Sequence, residues 1–378
     1  MKRTFPRIAP VALALAAALP ANALAGITLY DQGSKSLKLG GRVQAQYHMN
    51  DPDNGDQTDE ARIRRAWLTF DGTVSEDWSA RIQFQVNSGI STKDAKIQYS
   101  GWDAARLTAG NFYVPFSREE LTSSKYLQLV EKTLVAGDGV PGRQLGVAID
   151  GGGQGMSWQA GLWEAGLAAG GTNNGISFGS QVDGKNATEG KLVGGRLEFH
   201  PSGPVSYAQG NLAGASGWAV AVDAFSWSND EDAYERATPT TTAAANPNDY
   251  DTVTGIGIDG AWRSGPWSVD AEANSFDADT NGGGVTNGFV QNGSGTLTTA
   301  QVKGGFMVVP GRWEVAAGVS SEDGDGWNNT ETQTGIGLNR FFNGHNNKLQ
   351  ISYVSTSDAN GVSGQDSNDL YIQLQHAF

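Results

Sequence analysis

The chain has 378 residues, no cysteine, 52 glycines, and 26 Lys+Arg against 40 Asp+Glu, for a formal net charge of −14. Without cysteine there is no disulfide scaffold, no thiolate nucleophile and no cysteine metal site. After the N-terminus nothing approaches the roughly 20 consecutive apolar residues of a membrane helix, which excludes a helical membrane protein. The mean hydropathy of −0.37 remains compatible with a membrane β-barrel, whose strands turn only every second residue to lipid and whose loops are polar.

Lys2, Arg3 and Arg7, the apolar run Val11 to Leu19 and the small-residue ending Ala23-Leu24-Ala25 form the three regions of a secretory signal peptide. We therefore read 1–25 as a cleaved signal and 26–378 as an exported domain. From there sixteen runs alternate apolar and polar residues: 37–48, 62–71, 78–87, 94–100, 105–112, 143–150, 157–165, 192–200, 218–227, 254–263, 266–276, 299–309, 312–320, 333–341, 348–356 and 368–378. Most approach the roughly 9–11 residues that a tilted strand needs to cross a bilayer.

Connections after even-numbered runs are mostly brief, as at 101–104, 151–156, 264–265 and 310–311. Those after odd-numbered runs are mostly long, as at 113–142, 166–191, 228–253 (which holds the polar tract Thr238 to Asn248) and 277–298. Short turns at one end and long loops at the other are the wiring of an outer-membrane barrel, whereas a soluble sandwich or propeller has no reason for the asymmetry. The expected fold is an all-β, 16-stranded antiparallel transmembrane β-barrel with an inward-folded, partly helical third loop, in the outer membrane of a Gram-negative bacterium.

That third loop breaks the β rhythm. Pro115 to Lys132 reads as a helix, with Ser117 and Glu120 at capping-box spacing and Leu121, Leu127, Leu129 and Val130 on one face. Elsewhere parity assigns the faces: Trp78, Ala80, Ile82, Phe84 and Val86 to lipid, and Arg81, Gln83, Gln85 and Asn87 to the lumen. Trp78, Tyr99, Trp158, Trp218, Trp262, Trp267 and Trp313 fall near run ends, as an interfacial girdle requires. Trp67 and Trp163 come out facing the lumen, with no evident reason.

Charge is uneven. Residues 26–200 hold 17 Lys+Arg and 20 Asp+Glu, whereas 201–378 hold 6 and 20. Parity places Arg42, Arg65, Arg81, Lys96, Arg106 and Arg196 on the lumen side. Arg62 and Arg64 sit at the long-loop end of the second run, and Lys125, Lys132 and Arg143 lie in or beside the insert. A column of such groups concentrates anions in a narrow channel; the alternative is that they pair with inward carboxylates such as Asp71, Asp94, Asp150 and Glu198. Across the barrel, parity puts Asp223, Asp259, Asp270, Glu272 and Glu314 inward, with Arg263 and Lys303 the few cations. A basic wall facing an acidic wall, with an electric field between them, is the expectation.

His48, His200, His345 and His376 sit beside no nucleophile motif, so no catalytic residue is assigned. The Asp-rich stretches 51–56 and 321–326 are at best weak cation loops. No cofactor, metal or nucleic-acid partner is expected; the expected partners are small anionic or polar solutes and outer-membrane lipid.

At Arg64-Arg65-Ala66, Leu68-Thr-Phe-Asp-Gly72, Asp77-Trp78, Lys93-Asp-Ala95, Gly110-Asn-Phe112, Pro115-Phe116, Glu119-Glu-Leu-Thr-Ser-Ser-Lys125 and Pro141-Gly-Arg-Gln-Leu-Gly-Val147 the chain resembles the phosphate-selective porin O and P family, most specifically over 62–149. The resemblance implies a sixteen-stranded, trimeric Gram-negative porin whose third loop forms the constriction and whose lumen cations pass phosphate or polyphosphate. It matches Arg64 and Arg65 to the family's paired arginines and puts Lys125 in the constriction segment. The family's phosphate-selecting members also draw lysines from later strands, where this chain has only Lys303 and Lys348. The function read from the sequence is thus passive diffusion of small hydrophilic solutes, with anion preference. The alternatives are a general or weakly selective porin, or a barrel hydrolase or adhesin.

Overall fold

A computed structural model describes residues 26–167, 175–179, 190–229 and 250–378. The expected signal peptide and the tract Thr238 to Asn248 lie outside the described residues. The first half of the chain forms β1 (Ile27–Gln32), β2 (Lys35–Pro52), β3 (Thr58–Thr73), β4 (Trp78–Gln85), β5 (Ser91–Tyr99), β6 (Ala105–Tyr113), β7 (Arg143–Gly153) and β8 (Met156–Glu164). After the short pair β9 (Gly166–Leu167) and β10 (Phe178–Gly179) follow β11 (Lys191–Phe199), β12 (Gly217–Ser228), β13 (Tyr250–Ser264) and β14 (Trp267–Thr280). The last five are β15 (Ser294–Val309), β16 (Trp313–Gly324), β17 (Glu331–Asn343), β18 (Asn347–Ser357) and β19 (Ser367–Ala377).

Strands β2–β8 and β11–β19 pair antiparallel, each with its neighbours, and close into a sixteen-stranded barrel. The seam joins β19 to β2 from Ser367↔Pro52 to Ala377↔Arg42. Phe378 completes it by exchanging two backbone hydrogen bonds of 3.0 Å with Gly41. Among the described residues closure pairs each of the sixteen barrel strands on both sides, the condition for a sheet to sit in hydrocarbon. Each of the sixteen alternating runs falls on one barrel strand. Of the strands not anticipated, β1 forms a hairpin with the start of β2, and β9 pairs with β10.

Outward positions are apolar and exposed, as Ile63, Ile82, Ile97, Val147, Leu162, Val222, Ile256, Ile258 and Ile336 show, and inward ones are polar. That is the inverse of a soluble protein and the pattern expected where lipid is the solvent. Trp78, Trp218, Trp262, Trp267 and Trp313 are all exposed and all lie at the short-turn rim. Trp78 packs 4.8 Å from Tyr99 and Trp267 4.5 Å from Phe306.

Two connections depart from expectation. The third long connection, residues 114–142, folds inward as anticipated, but its helix is a single turn, Arg118–Leu121, followed by a 3-10 turn at Leu134–Ala136. Ser117 caps that turn, accepting from the Glu120 N–H at 3.1 Å, and does so at φ 65, a strained value for a residue with a side chain. Beyond it the chain runs through a turn and bends rather than a helix, because the barrel wall supplies the hydrogen bonds a helix would make internally. The Ser124 carbonyl accepts from Gln44, that of Lys125 from Gln375, that of Leu127 from Lys348 and Gln350, and that of Gln128 from Asn339, while the Val130 N–H donates to Ser352 Oγ.

The other departure is the connection 200–216, long although it lies at the short-turn end. It rises against the inward loop: the Gln209 N–H donates to the Tyr126 carbonyl at 3.0 Å, and Gln209 Nε2 donates to Glu119 at 2.8 Å.

At the long-loop end, one side of the interior is filled by an apolar cluster that includes Phe116, Trp163, Phe225, Trp227, Phe276 and Phe289. Trp163 faces inward because it packs here, 5.7 Å from Phe112. Burying side chains of this size stabilises by about 1.5–3 kcal/mol each. The cluster holds the root of the loop and closes that part of the bore.

Candidate functional site: a cationic passage beside the inward loop

From its roots at β6 and β7 the inward loop reaches the far wall of the barrel, where Gln44, Asn339, Lys348, Gln350 and Gln375 bond to it. It lies on the wall formed by β12–β19 and β2, and the carboxylates expected to face the channel are buried beneath it: Asp223, Asp259, Asp270, Glu272 and Glu314 are all 5% exposed or less. Arg118 of the loop donates to Asp270 at 3.1 Å and lies 3.6 Å from Glu198. Glu272 accepts from the Glu119 N–H at 2.9 Å, Lys303 pairs with the Glu119 carboxylate, and Glu314 accepts from Gln128 at 2.7 Å and Asn339 at 2.9 Å. The expectation of an acidic wall facing a basic one across open water is therefore corrected. The acidic wall is the seat of the loop: Asp223, Asp259 and Asp270 take arginines, while Glu272 and Glu314 take backbone and side-chain amide donors.

Glycine makes the close docking possible. A Cβ on Gly305 would stand 2.1 Å from the Gln128 amide, and one on Gly335 would stand 2.8 Å from Leu129.

Solvent reaches the opposite side, between the loop and β3–β7. Arg62, Arg64, Arg81 and Arg106 have side chains 36%, 36%, 41% and 49% exposed. From the long-loop end downward the register places Arg62 opposite Gln46, Arg65 opposite Gln44, Arg81 beside both Asp71 and Lys96, and Arg106 opposite Asp150. Cations thus recur along the passage from one mouth to the other.

Two β-bulges increase their number. Register shifts in β3 between Arg65, opposite Gln44, and Ile63, opposite Ala45, so Arg64 is the extra residue. Arg64 and its neighbour Arg65 then both reach the same carboxylate, which strict alternation forbids. Glu131 Oε1 accepts from Arg64 Nε at 2.9 Å and from Gln46 at 2.9 Å, and Oε2 accepts from Arg65 at 2.8 Å. A second shift, between Ile82 and Phe84, falls at Lys93 and Asp94 of β5. Lys93, which parity sends outward, has Arg143, Arg65, Arg64 and Glu120 as its charged neighbours. It is the cation that sequence reasoning missed, and only the cross-strand register reveals it.

Pairing on this side is real but incomplete. The anticipated carboxylates each take a cation: Arg81 with Asp71 at 2.6 Å, Arg143 with Asp94 at 2.6 Å, Arg106 with Asp150 at 3.0 Å and Arg196 with Glu198 at 3.1 Å. Arg62 pairs with Glu60, and Lys132 with Glu120 at 2.5 Å. Lys93, Lys96 and Lys125 have no carboxylate within 4.0 Å among the described residues. Burial, and after it Arg42, lowers the Lys125 ammonium below its ordinary value. Burial alone would raise the Glu131 carboxyl, but Arg65 and Arg64 outweigh it and hold it low.

Two of the predicted site residues stand apart. Arg196 is buried in a cage of Glu198, Asp223 and Asp259, with the Tyr207 ring 5.9 Å away. Arg42 is 5% exposed, donates to Ser123 Oγ at 3.0 Å and lies 3.7 Å over Trp67. That stacking accounts for the inward Trp67, which also donates to Gln85 at 3.2 Å. Of the Asp-rich stretches, Ser321–Gly324 belongs to β16, and among the described residues no group of acidic or histidine side chains is arranged to hold a metal.

A closed sixteen-stranded barrel with an inward third loop and a polar, charged bore is a porin-type barrel. The profile of the phosphate-selective porin O and P family matches residues 37–378, and the chain belongs to that family. Porin O of Pseudomonas aeruginosa is 28% identical over 270 residues; the match covers 65% of this chain and 60% of that relative's length. Among solved structures, the anion-selective porin from Comamonas acidovorans superposes with a TM-score of 0.61 at 13% identity, covering 91% of this chain and 100% of that one. The outer membrane channel DcaP of Acinetobacter baumannii gives 0.60 at 13% identity, covering 94% and 100%. OmpT of Vibrio cholerae gives 0.60 at 11%, covering 93% and 99%. At these identities the structures attest the fold.

Proposed function

We propose that the protein is an outer-membrane porin through which small hydrophilic solutes diffuse, with a preference for anions. The observation that carries this reading is the asymmetry of the bore. The inward loop covers the carboxylates of β12–β16, while Arg62, Arg64, Arg65, Arg81, Lys93, Lys96, Arg106, Lys125, Lys132 and Arg143 line or flank the side that solvent enters, three of the lysines without a carboxylate partner. Unpaired cations in a narrow bore raise the local anion concentration. Arg42 and Arg196 act as structural ties in this reading.

The names of the family and of the Comamonas relative, phosphate-selective and anion-selective, agree with this direction. Strict phosphate specificity is not part of the proposal, because Lys303 and Lys348 are buried and engaged with the loop, Lys303 on Glu119 and Lys348 on the Leu127 carbonyl. A homotrimer is proposed from the family resemblance and from a Vibrio cholerae neighbour described in a trimer form; cross-linking in mild detergent, expected to give a three-subunit band, tests it.

The test of selectivity is the reversal potential of the purified protein in planar bilayers under a potassium chloride gradient. Anion selectivity is the expected result, and a cation-selective channel overturns the preference.

A further inference from the structure

We propose that Glu131 is a tethered competitor for the oxyanion site made by Arg64 and Arg65, so that this one loop residue sets how tightly the channel holds its solute. The inference rests on the anion-passing reading above.

The Glu131 carboxylate occupies the position of an oxyanion between two adjacent guanidinium groups. Arg64 approaches it through Nε at 2.9 Å and Nη2 at 3.3 Å, Arg65 through Nη2 at 2.8 Å, and the Gln46 amide completes the shell at 2.9 Å. Fork-shaped donors of this kind suit any anion with two oxygens on one centre. The bulge at Arg64 is what turns consecutive arginines toward one point. Lys93 is close enough to both arginines to add its charge.

Glu131 differs in origin from the other carboxylates of this face. Asp71 and Asp150 face Arg81 and Arg106 from the adjoining strand at fixed register. Glu131 belongs to the loop and reaches from it onto the wall, so a rotation of its side chain frees both arginines without disturbing a strand pair. Arg64 is 36% and Glu131 22% exposed, which leaves the pair within reach of a solute in the passage. A ligand held on a short tether competes at an effective concentration in the millimolar range. Such a competitor keeps the site open to entry and quick to release, as conduction requires.

The experiment uses the mature protein in planar bilayers, with inorganic phosphate as the probe and block of the chloride current as the readout. Glu131→Gln is expected to lower the half-blocking phosphate concentration about tenfold, the size of one charge-assisted hydrogen bond regained by the solute, and to shift the reversal potential toward anions. Adding Arg64→Gln and Arg65→Gln to that variant is expected to abolish the gain. Unchanged block in a conducting Glu131→Gln channel overturns the proposal, as does a gain that survives loss of both arginines. Should Glu131→Gln fail to insert, Glu131→Asp keeps the charge but shortens the reach, and a fall of about threefold is expected; no change overturns the proposal. Cation selectivity of the unaltered channel would instead refute the anion-passing reading and is scored separately.

Discussion

The two halves of the bore carry opposite charge and use it in opposite ways. On β11–β16 the inward carboxylates Glu198, Asp223, Asp259, Asp270, Glu272 and Glu314 are dry, take Arg118, Arg196, Arg263 and amide donors, and hold the inward loop. On β3–β7 Arg62, Arg64, Arg81 and Arg106 are solvated, paired only with carboxylates that are themselves partly exposed, and line the way through. Burial decides the difference. A buried charge is costly unless it is paired, hydrogen-bonded or neutralised by protonation, whereas a solvated one retains its field for a passing ion. Charge changes on the first wall should therefore act on stability, and those on the second on selectivity.

The largest effect should come from the buried side. Arg118→Ala takes one of two cations from each of two buried carboxylates, leaving Asp270 with Arg263 and Glu198 with Arg196, and loosening a buried ionic cluster in this way costs about 3 kcal/mol. Thermal unfolding in detergent should fall sharply, and the released loop should raise or destabilise single-channel conductance; an unchanged melting temperature would break the comparison. On the open side Arg106→Glu, at a side chain 49% exposed, should change the anion-to-cation permeability ratio severalfold while the barrel melts within a few degrees of the unaltered protein.

A pH effect of intermediate size is expected at Asp138, in the loop, whose carboxyl is pushed up to about 6 by burial and then by Glu331. A carboxyl raised on folding stabilises while protonated, and its contribution is lost as pH rises from its unfolded value, near 4, through about 6. Asp138→Asn should thus be neutral at pH 4 and more stable than the unaltered protein by about 1–2 kcal/mol at pH 8. A difference independent of pH in thermal melts would refute this assignment.

The smallest effect belongs to Asp71→Asn. It removes one member of an exposed pair whose two side chains are 41% and 44% exposed, so stability should change by less than about 1 kcal/mol. The freed Arg81 should sharpen anion preference slightly, read as a small shift in reversal potential.

Much of this was legible in the sequence. The strands and their order follow from period-two alternation, and the lumen assignments of Arg65, Arg81, Lys96 and Arg106 follow from the same parity. Lys93 and Arg64 escaped it, because a bulge shifts facing by one residue and is visible only in the partner strand. The helix expected through Lys132 shrank to one turn, because backbone groups that would have bonded within the segment found Gln44, Lys348, Gln350 and Ser352 on the wall. The connection 200–216 gave no sign in its composition that it would rise against the loop.

What the sequence by itself determined is the barrel, its wiring, its sixteen strands and the division of cations and carboxylates between its halves, since alternation and loop length are local properties of the chain. What only the tertiary structure decided is which half a solute meets. That depended on where the third loop came to rest, and it is held on the carboxylate side by the Arg118–Asp270 pair and by hydrogen bonds from the Glu119 N–H and Gln128 to Glu272 and Glu314.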